Sequence, residues 1–212
     1  GLELAHEDLV SNIIPGSYDW VEDDDDPTNP NDGDHGTGVS GIMTMTAANG
    51  VGGRGIAYGA SLVGYNWGRN QSDANLISSW TGLDYTVSVD VTNNSWGMGT
   101  GTYLAPGDTE DFMFDAVKTI TNTSRNGKGT IHVKSAGNSW GGNCGPTSDY
   151  YDEMPCTTSS SNSSMHSWPQ IITVPSINAD DERSSYSTVG PDTWLAGYGG
   201  EYGYGPPSYQ AS

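Results

Sequence analysis

Short β-branched runs alternate with longer segments of helical hydrophobic spacing along this chain, and that alternation leaves few folds open to it. His35 to Ala47 reads as a helix with Val39, Ile42, Met43 and Thr46 on one side, ended by the glycine-rich break Gly50–Gly55. Ser61–Trp67 follows as a short strand. Ser72–Thr86 is helical in pattern, with Leu76, Ile77, Trp80, Leu83 and Val87 at helical intervals, and Val87–Asn93 is a strand again. The next helix is capped by Asp108 or Thr109, lines Phe112, Met113, Ala116, Val117 and Ile120 along one face, and stops at Asn126-Gly127. Thr130–Ser135 and Gln170–Pro175 are two more buried-strand candidates. Strands alternating with helices imply an α/β fold, a parallel β-sheet with helices on both faces. In such sheets chemistry sits where strands end and helices begin.

The 212 residues suffice for one domain with a sizeable core, and no internal duplication suggests two. Hydrophobic residues make up only 33%, but seven Trp and twelve Tyr supply large buriable surfaces. No apolar run is long enough for a membrane-spanning helix, and no signal peptide is present, as in a mature or trimmed chain. Asp and Glu number 26 against 7 Lys and Arg, a formal −19. Such a surface repels nucleic acid and anionic lipid and favours cations and basic peptides. Bound calcium would explain closely held carboxylates; solubility alone would explain the charge equally well. Cys144 and Cys156 lie in a Gly/Ser/Thr-rich stretch. Their polar surroundings favour a loop-closing disulfide, worth on the order of 3 kcal/mol, and an oxidising compartment, over two free core thiols. After Leu195 the chain turns Gly/Tyr/Pro-rich without a closing element, as if the domain continued.

Three motifs fall at the junctions where chemistry is expected. Asp34-His35-Gly36-Thr37-Gly38-Val39-Ser40-Gly41 puts a histidine at a helix N-terminus among residues small enough for close approach. A general base needs such an imidazole, partly exposed and held by its backbone. His6, His132 and His166 carry no such context and read as caps or surface residues. Ser135-Ala136-Gly137-Asn138 follows a strand directly, and its Asn could aim an amide N–H at an oxyanion, a contact worth roughly 3 kcal/mol. Asn94-Ser95-Trp96-Gly97 also ends a strand, where backbone could pair with an extended peptide. Gly50, Gly52 and Gly55 have the spacing of a dinucleotide fingerprint, but they follow a helix and precede a strand, the reverse of what that site needs.

Taken in order, these motifs resemble the subtilisin-like serine peptidases, and the kexin/furin branch more than the classical bacterial subtilisins. The resemblance covers essentially the whole chain: Gly1-Leu2-Glu3 with His6-Glu7-Asp8-Leu9, then Asp34–Gly41, Asn94–Gly97, Ser135–Asn138 and Ser184-Ser185-Tyr186-Ser187. It implies a secreted serine endopeptidase working through a Ser-His-Asp triad, with His35 as general base and Asn138 as oxyanion donor. Ser95, Trp96 and Gly97 would flank the primary specificity pocket. Asp32 would face the second subsite, giving a weak preference for basic residues, unless it merely belongs to the acidic surface with Asp23–Asp26. A structural Ca2+ would take the Asp8 carboxylate, the Asn49 side-chain oxygen and the carbonyls of Thr46, Val51 and Gly53. Asp149 and Asp152 are candidates for a second calcium. Substrates would be proteins or peptides, and a propeptide or C-terminal domain of the same protein are possible partners; nucleic acid and membrane are not expected.

Two departures stand out. The family's aspartate would lie just ahead of Gly1, and no Gly-Thr-Ser bearing a nucleophile occurs in the chain. The expectation is therefore a partial catalytic domain over residues 1–212, incomplete at both ends. The alternative is a catalytically inactive, calcium-dependent binding module on the same scaffold. Asn70, Asn122 and Asn162 fit glycosylation sequons.

Overall fold

The computed structural model describes residues 1–29, 33–70, 72–81, 89–97, 109–138, 140, 159–160 and 164–201. Contacts divide the chain into two compact units, Gly1–Tyr85 and Thr86–Ser212. Asp32, Cys144, Asp149, Asp152, Cys156 and Asn162 lie outside the described residues.

The first unit is a small parallel βαβ arrangement. Strand β1 (Tyr18–Asp19) pairs with β2 (Tyr65–Asn66), Tyr18 opposite Tyr65, and a parallel bridge joins Ile13 to Leu62. Helix α1 (His35–Thr44) lies between them in sequence. It stops short of the expected Ala47 because the chain returns across its last turn. Gly55, Ile56 and Ala57 donate their N–H groups to the carbonyls of Met45, Ile42 and Met43, which would otherwise lack partners. A Cβ at Gly55 would sit 2.4 Å from the Met45 nitrogen, so only glycine passes there. The buried side of α1 is made of Ser40, Gly41 and Thr44, while Ile42 is exposed. Small residues, not the expected apolar stripe, let neighbouring backbone come close. Helix α2 (Asp73–Thr81) is capped by the Ser72 hydroxyl on the Asn75 N–H and buries Leu76 and Trp80 as its spacing predicts.

In the second unit, β3 (Val91–Asn94), β4 (Ile131–Ser135) and β5 (Ile171–Val174) form a parallel sheet in that order. Asn94 stands opposite Lys134, and Lys134 opposite Thr173. Helix α3 (Thr109–Gly127) connects β3 to β4 and buries Met113, Ala116, Val117 and Ile120. Phe112, expected on that face, is 74% exposed. The helix ends as the sequence indicated: Arg125, Asn126 and Gly127 take left-handed φ values of 55°, 59° and 85°. Arg125 then pairs with Asp90 and donates to the Gly129 carbonyl at 2.9 Å. A second small parallel ladder joins β6 (Ser176–Ile177) to β7 (Gly197–Tyr198).

The inner face of the β3–β5 sheet is largely polar, with Ile171 the apolar residue opposite His132. Asn94, His132, Lys134 and Thr173 are buried, while Ile131 is 49% exposed. His132 and His166 are therefore core residues, not the caps or surface groups expected. His132 Nδ1 lies 2.8 Å from the Thr92 hydroxyl, and Thr173 donates to the His166 carbonyl at 3.1 Å. Burial lowers the pKa of His132 to about 4. The unfolded chain then takes up a proton near pH 6.5 that the folded protein refuses until about pH 4, so stability is full above that window and is lost as pH falls through it. The expected contribution is about 3 kcal/mol between pH 7 and pH 4. Urea unfolding across this range should show it, and His132→Gln should remove that share of the loss while leaving the carboxylate share.

Candidate active site

His35 is the first residue of α1, and its side chain is exposed. It is the most open of the four histidines: His132 and His166 are buried, and His6 is half-buried with its Nδ1 accepting the Asp8 N–H at 3.2 Å. The turn that carries His35 is fixed by the first residues of the chain. Leu2 N–H donates to the Pro27 carbonyl at 2.9 Å, and Glu3 N–H donates to the Thr37 hydroxyl at 3.0 Å. A Cβ on Gly36 would lie 2.2 Å from the Gly1 carbonyl oxygen, so the helix start and the Gly1 backbone touch. Glycine at 36 is what allows that contact.

The same unit gathers the predicted cation ligands. Asp8 is 1% exposed. Its carboxylate accepts the Asn49 amide at 2.7 Å and the Gly53 N–H at 3.0 Å, and Asn49 Oδ1 in turn accepts the Val51 N–H at 3.1 Å. Thr46 N–H donates to the Asp8 carbonyl at 3.0 Å. Ala48, Gly50 and Gly52 all have left-handed φ, which wraps the loop around the carboxylate. A Cβ on Gly52 would lie 2.1 Å from Asp8 Oδ2. No ion pair to Asp8 occurs among the described residues, and no cluster of three acidic, His or Cys side chains does either. Asp8 and Asn49 carry hard oxygens of the kind Ca2+ takes, and in this structure the Asp8 carboxylate is satisfied by the Asn49 and Gly53 N–H groups.

In the second unit the ladder positions the other candidates. Because Asn94 is opposite Lys134, Ser95–Gly97 and Ser135–Asn138 leave the sheet side by side at its C-terminal edge. Gly137, at φ +104°, turns the chain there, and its carbonyl accepts the Thr188 N–H at 2.9 Å. The turn leaves Asn138 exposed. Trp96 Nε1 donates to Asn94 Oδ1 at 3.1 Å.

Two residues of this edge carry no motif. Lys134 is 1% exposed, donates its ammonium to the Trp96 carbonyl and lies 3.9 Å from the centre of the Trp96 ring. Burial lowers its pKa to about 8. His166 is buried with Nδ1 2.9 Å from the Ser160 carbonyl and Nε2 3.0 Å from the Ser135 carbonyl. Its pKa is lowered, chiefly by burial. A lysine in a strand whose alternate residues are Ile131 and Val133 looks like the solvent face, so the pattern hides Lys134, while His166 lies in the short turn Ser164–Ser167, where no periodicity marks it.

Residues 1–209 match the model of the subtilase family. The extracellular serine protease of Aeromonas sobria is 34% identical over 219 residues, covering 98% of this chain and 34% of that protein. Furin of Mus musculus is 32% identical over 146 residues, covering 65% of this chain and 18% of that protein. The crystal structure of the Aeromonas sobria serine protease in complex with its chaperone ORF2 superposes with a TM-score of 0.83 and 31% identity, over 96% of this chain and 35% of that one. The chain thus spans about a third of the length of the first of these relatives.

The cradle around Asp8 can be probed with two glycines. Gly50 (φ +80°) has nothing within 4 Å of an added Cβ, whereas Gly52 (φ +51°) meets Asp8. Gly50→Ala should cost about 1 kcal/mol, the left-handed penalty alone, and Gly52→Ala about 2–4 kcal/mol. Chemical unfolding of the two variants measures the difference.

Proposed function

The chain belongs to the subtilase family, and from that premise we propose that the protein containing it is a secreted, calcium-stabilised serine endopeptidase. The observation that carries the reading is His35. It sits exposed on the first turn of a glycine-packed helix, inside the family-matched region, while the other histidines are partly or fully withdrawn from solvent.

His35 is the general base. It takes the proton from the attacking serine hydroxyl as that oxygen bonds to the substrate carbonyl carbon, then gives the proton to the leaving amine as the C–N bond breaks. A water repeats the sequence on the acyl-enzyme and restores the serine. Asn138 donates its amide N–H to the oxyanion of each tetrahedral intermediate. Ser95, Trp96 and Gly97 offer backbone to an extended substrate. The serine and the triad aspartate are not assigned to residues of this chain. Residues 1–212 are part of one catalytic domain.

Asp8, Asn49 and the carbonyls of Thr46, Val51 and Gly53 would hold Ca2+, which supplies fixed positive charge to a buried carboxylate and ties the loop after α1 to the segment before it. Asp32 supports a weak preference for basic residues, as does the net charge of −19. Cys144 and Cys156, outside the described residues, would pair as a disulfide in an oxidising compartment. The relative named an extracellular serine protease supports secretion, and its complex with a chaperone supports a folding partner, whether a separate chain or a propeptide.

Kinetics of the full-length protein on peptide substrates test this. His35→Ala should lower kcat by a factor on the order of 10^6 and Asn138→Ala by about 10^2–10^3, the sizes measured for such replacements in subtilisin. Peptide binding without hydrolysis in the unmodified protein would select the inactive binding module instead. Adding Ca2+ at about 100 times its dissociation constant should stabilise the protein by about 2.7 kcal/mol, and Asp8→Asn should abolish the gain.

A further inference from the structure

Lys134 is the feature of the site that neither its motifs nor its proposed chemistry explains. Taking an ammonium out of water carries a large cost unless it finds strong partners, and replacing such a group by a hydrophobic one is often neutral or stabilising. No carboxylate pairs with Lys134 among the described residues. Its partners are the Trp96 carbonyl and the face of the Trp96 ring, both on the segment that continues β3 past its last paired residue. The charge is thus spent on the position of one short stretch of backbone.

Backbone direction gives that position its meaning. In an extended segment successive carbonyls point to opposite edges. With the Trp96 carbonyl held on Lys134, an extended course through Ser95–Gly97 would turn the carbonyls of Ser95 and Gly97 to the other edge, where a peptide would pair. Around this point Asn94 donates to the Thr92 hydroxyl at 3.1 Å and the Val133 carbonyl at 3.2 Å, and accepts the Trp96 indole N–H. The side chains that hold the segment, Asn94 and Lys134, both come from the inner face of the sheet.

Building on the peptidase reading, we propose that Lys134 is a positioning residue for substrate pairing, holding the Trp96 carbonyl inward so that the backbone of Ser95–Gly97 presents to an extended peptide. It touches neither substrate nor the reacting atoms, so it acts on how long peptides bind and not on the chemical step.

The test uses the full-length protein, a peptide long enough to pair with Ser95–Gly97, and a single-residue ester too short to do so. Lys134→Met should raise KM for the long peptide about tenfold, the loss of one charged hydrogen bond. It should leave kcat/KM for the ester, and the rate of labelling by a fluorophosphonate, within about twofold. Lys134→Gln, which keeps a donor and drops the charge, should fall between Met and Lys and serves if Met does not fold. A merely structural lysine would lower the unfolding midpoint and leave both KM values alone. An unchanged KM for the long peptide, or equal losses on peptide and ester, would overturn the assignment. Failure of the unmodified protein to hydrolyse either substrate would overturn the peptidase reading and this assignment with it.

Discussion

Parallel pairing of Val91–Asn94 with Ile131–Lys134 is the constraint on which the second unit's site depends. A parallel ladder sends both strands out of the same edge, so a register of Asn94 against Lys134 sets Ser95–Gly97 beside Ser135–Asn138 without any further device. An antiparallel pair would have placed them at opposite ends. The long connection that parallel pairing requires is supplied by α3, whose Met113, Ala116, Val117 and Ile120 are buried and whose left-handed ending at Arg125–Gly127 returns the chain to β4. Fold and site geometry are here one choice.

A second constraint is the scarcity of positive charge. With 7 basic residues against 26 acidic ones, buried carboxylates cannot all be matched by lysine or arginine. Asp8 and Asp19 are both buried, and each is satisfied by neutral donors: Asn49 and the Gly53 N–H for the first, Asn66 and the Val21 and Glu22 N–H groups for the second. Backbone amides and asparagines do the work that ion pairs do elsewhere, which ties these carboxylates to particular loop conformations. The one deeply buried lysine, Lys134, is likewise satisfied by a carbonyl and an aromatic face.

How far the sequence could be read follows from which signals are local. Helical spacing and an Asn-Gly stop are local, and α2 and α3 appear where they were expected. The motif residues His35, Asn94–Gly97 and Ser135–Asn138 fall at element ends, because each motif carries its own glycines and its own junction. What was not legible depended on partners distant in sequence. The end of α1 was set by the returning Gly55–Ala57 segment, and its buried side was chosen by close backbone contact, which favours Ser40 and Gly41 over Ile42. On β4, alternation points to Ile131 and Val133 as the inward set, yet Thr130, His132 and Lys134 are buried. That inversion holds because Thr92, Val89 and Trp96 supply hydrogen-bond partners which no local pattern reveals.

The peptidase proposal requires His35 and Asn138 to serve one working acyl-transfer reaction in the protein that contains this chain. Intact-mass measurement of the full-length protein, with and without a serine-directed fluorophosphonate, tests it most directly. A mass increase of one label is expected, lost when His35 is replaced. A protein that folds, retains its calcium response and takes up no label would contradict it, and would leave a subtilase scaffold that binds without cutting.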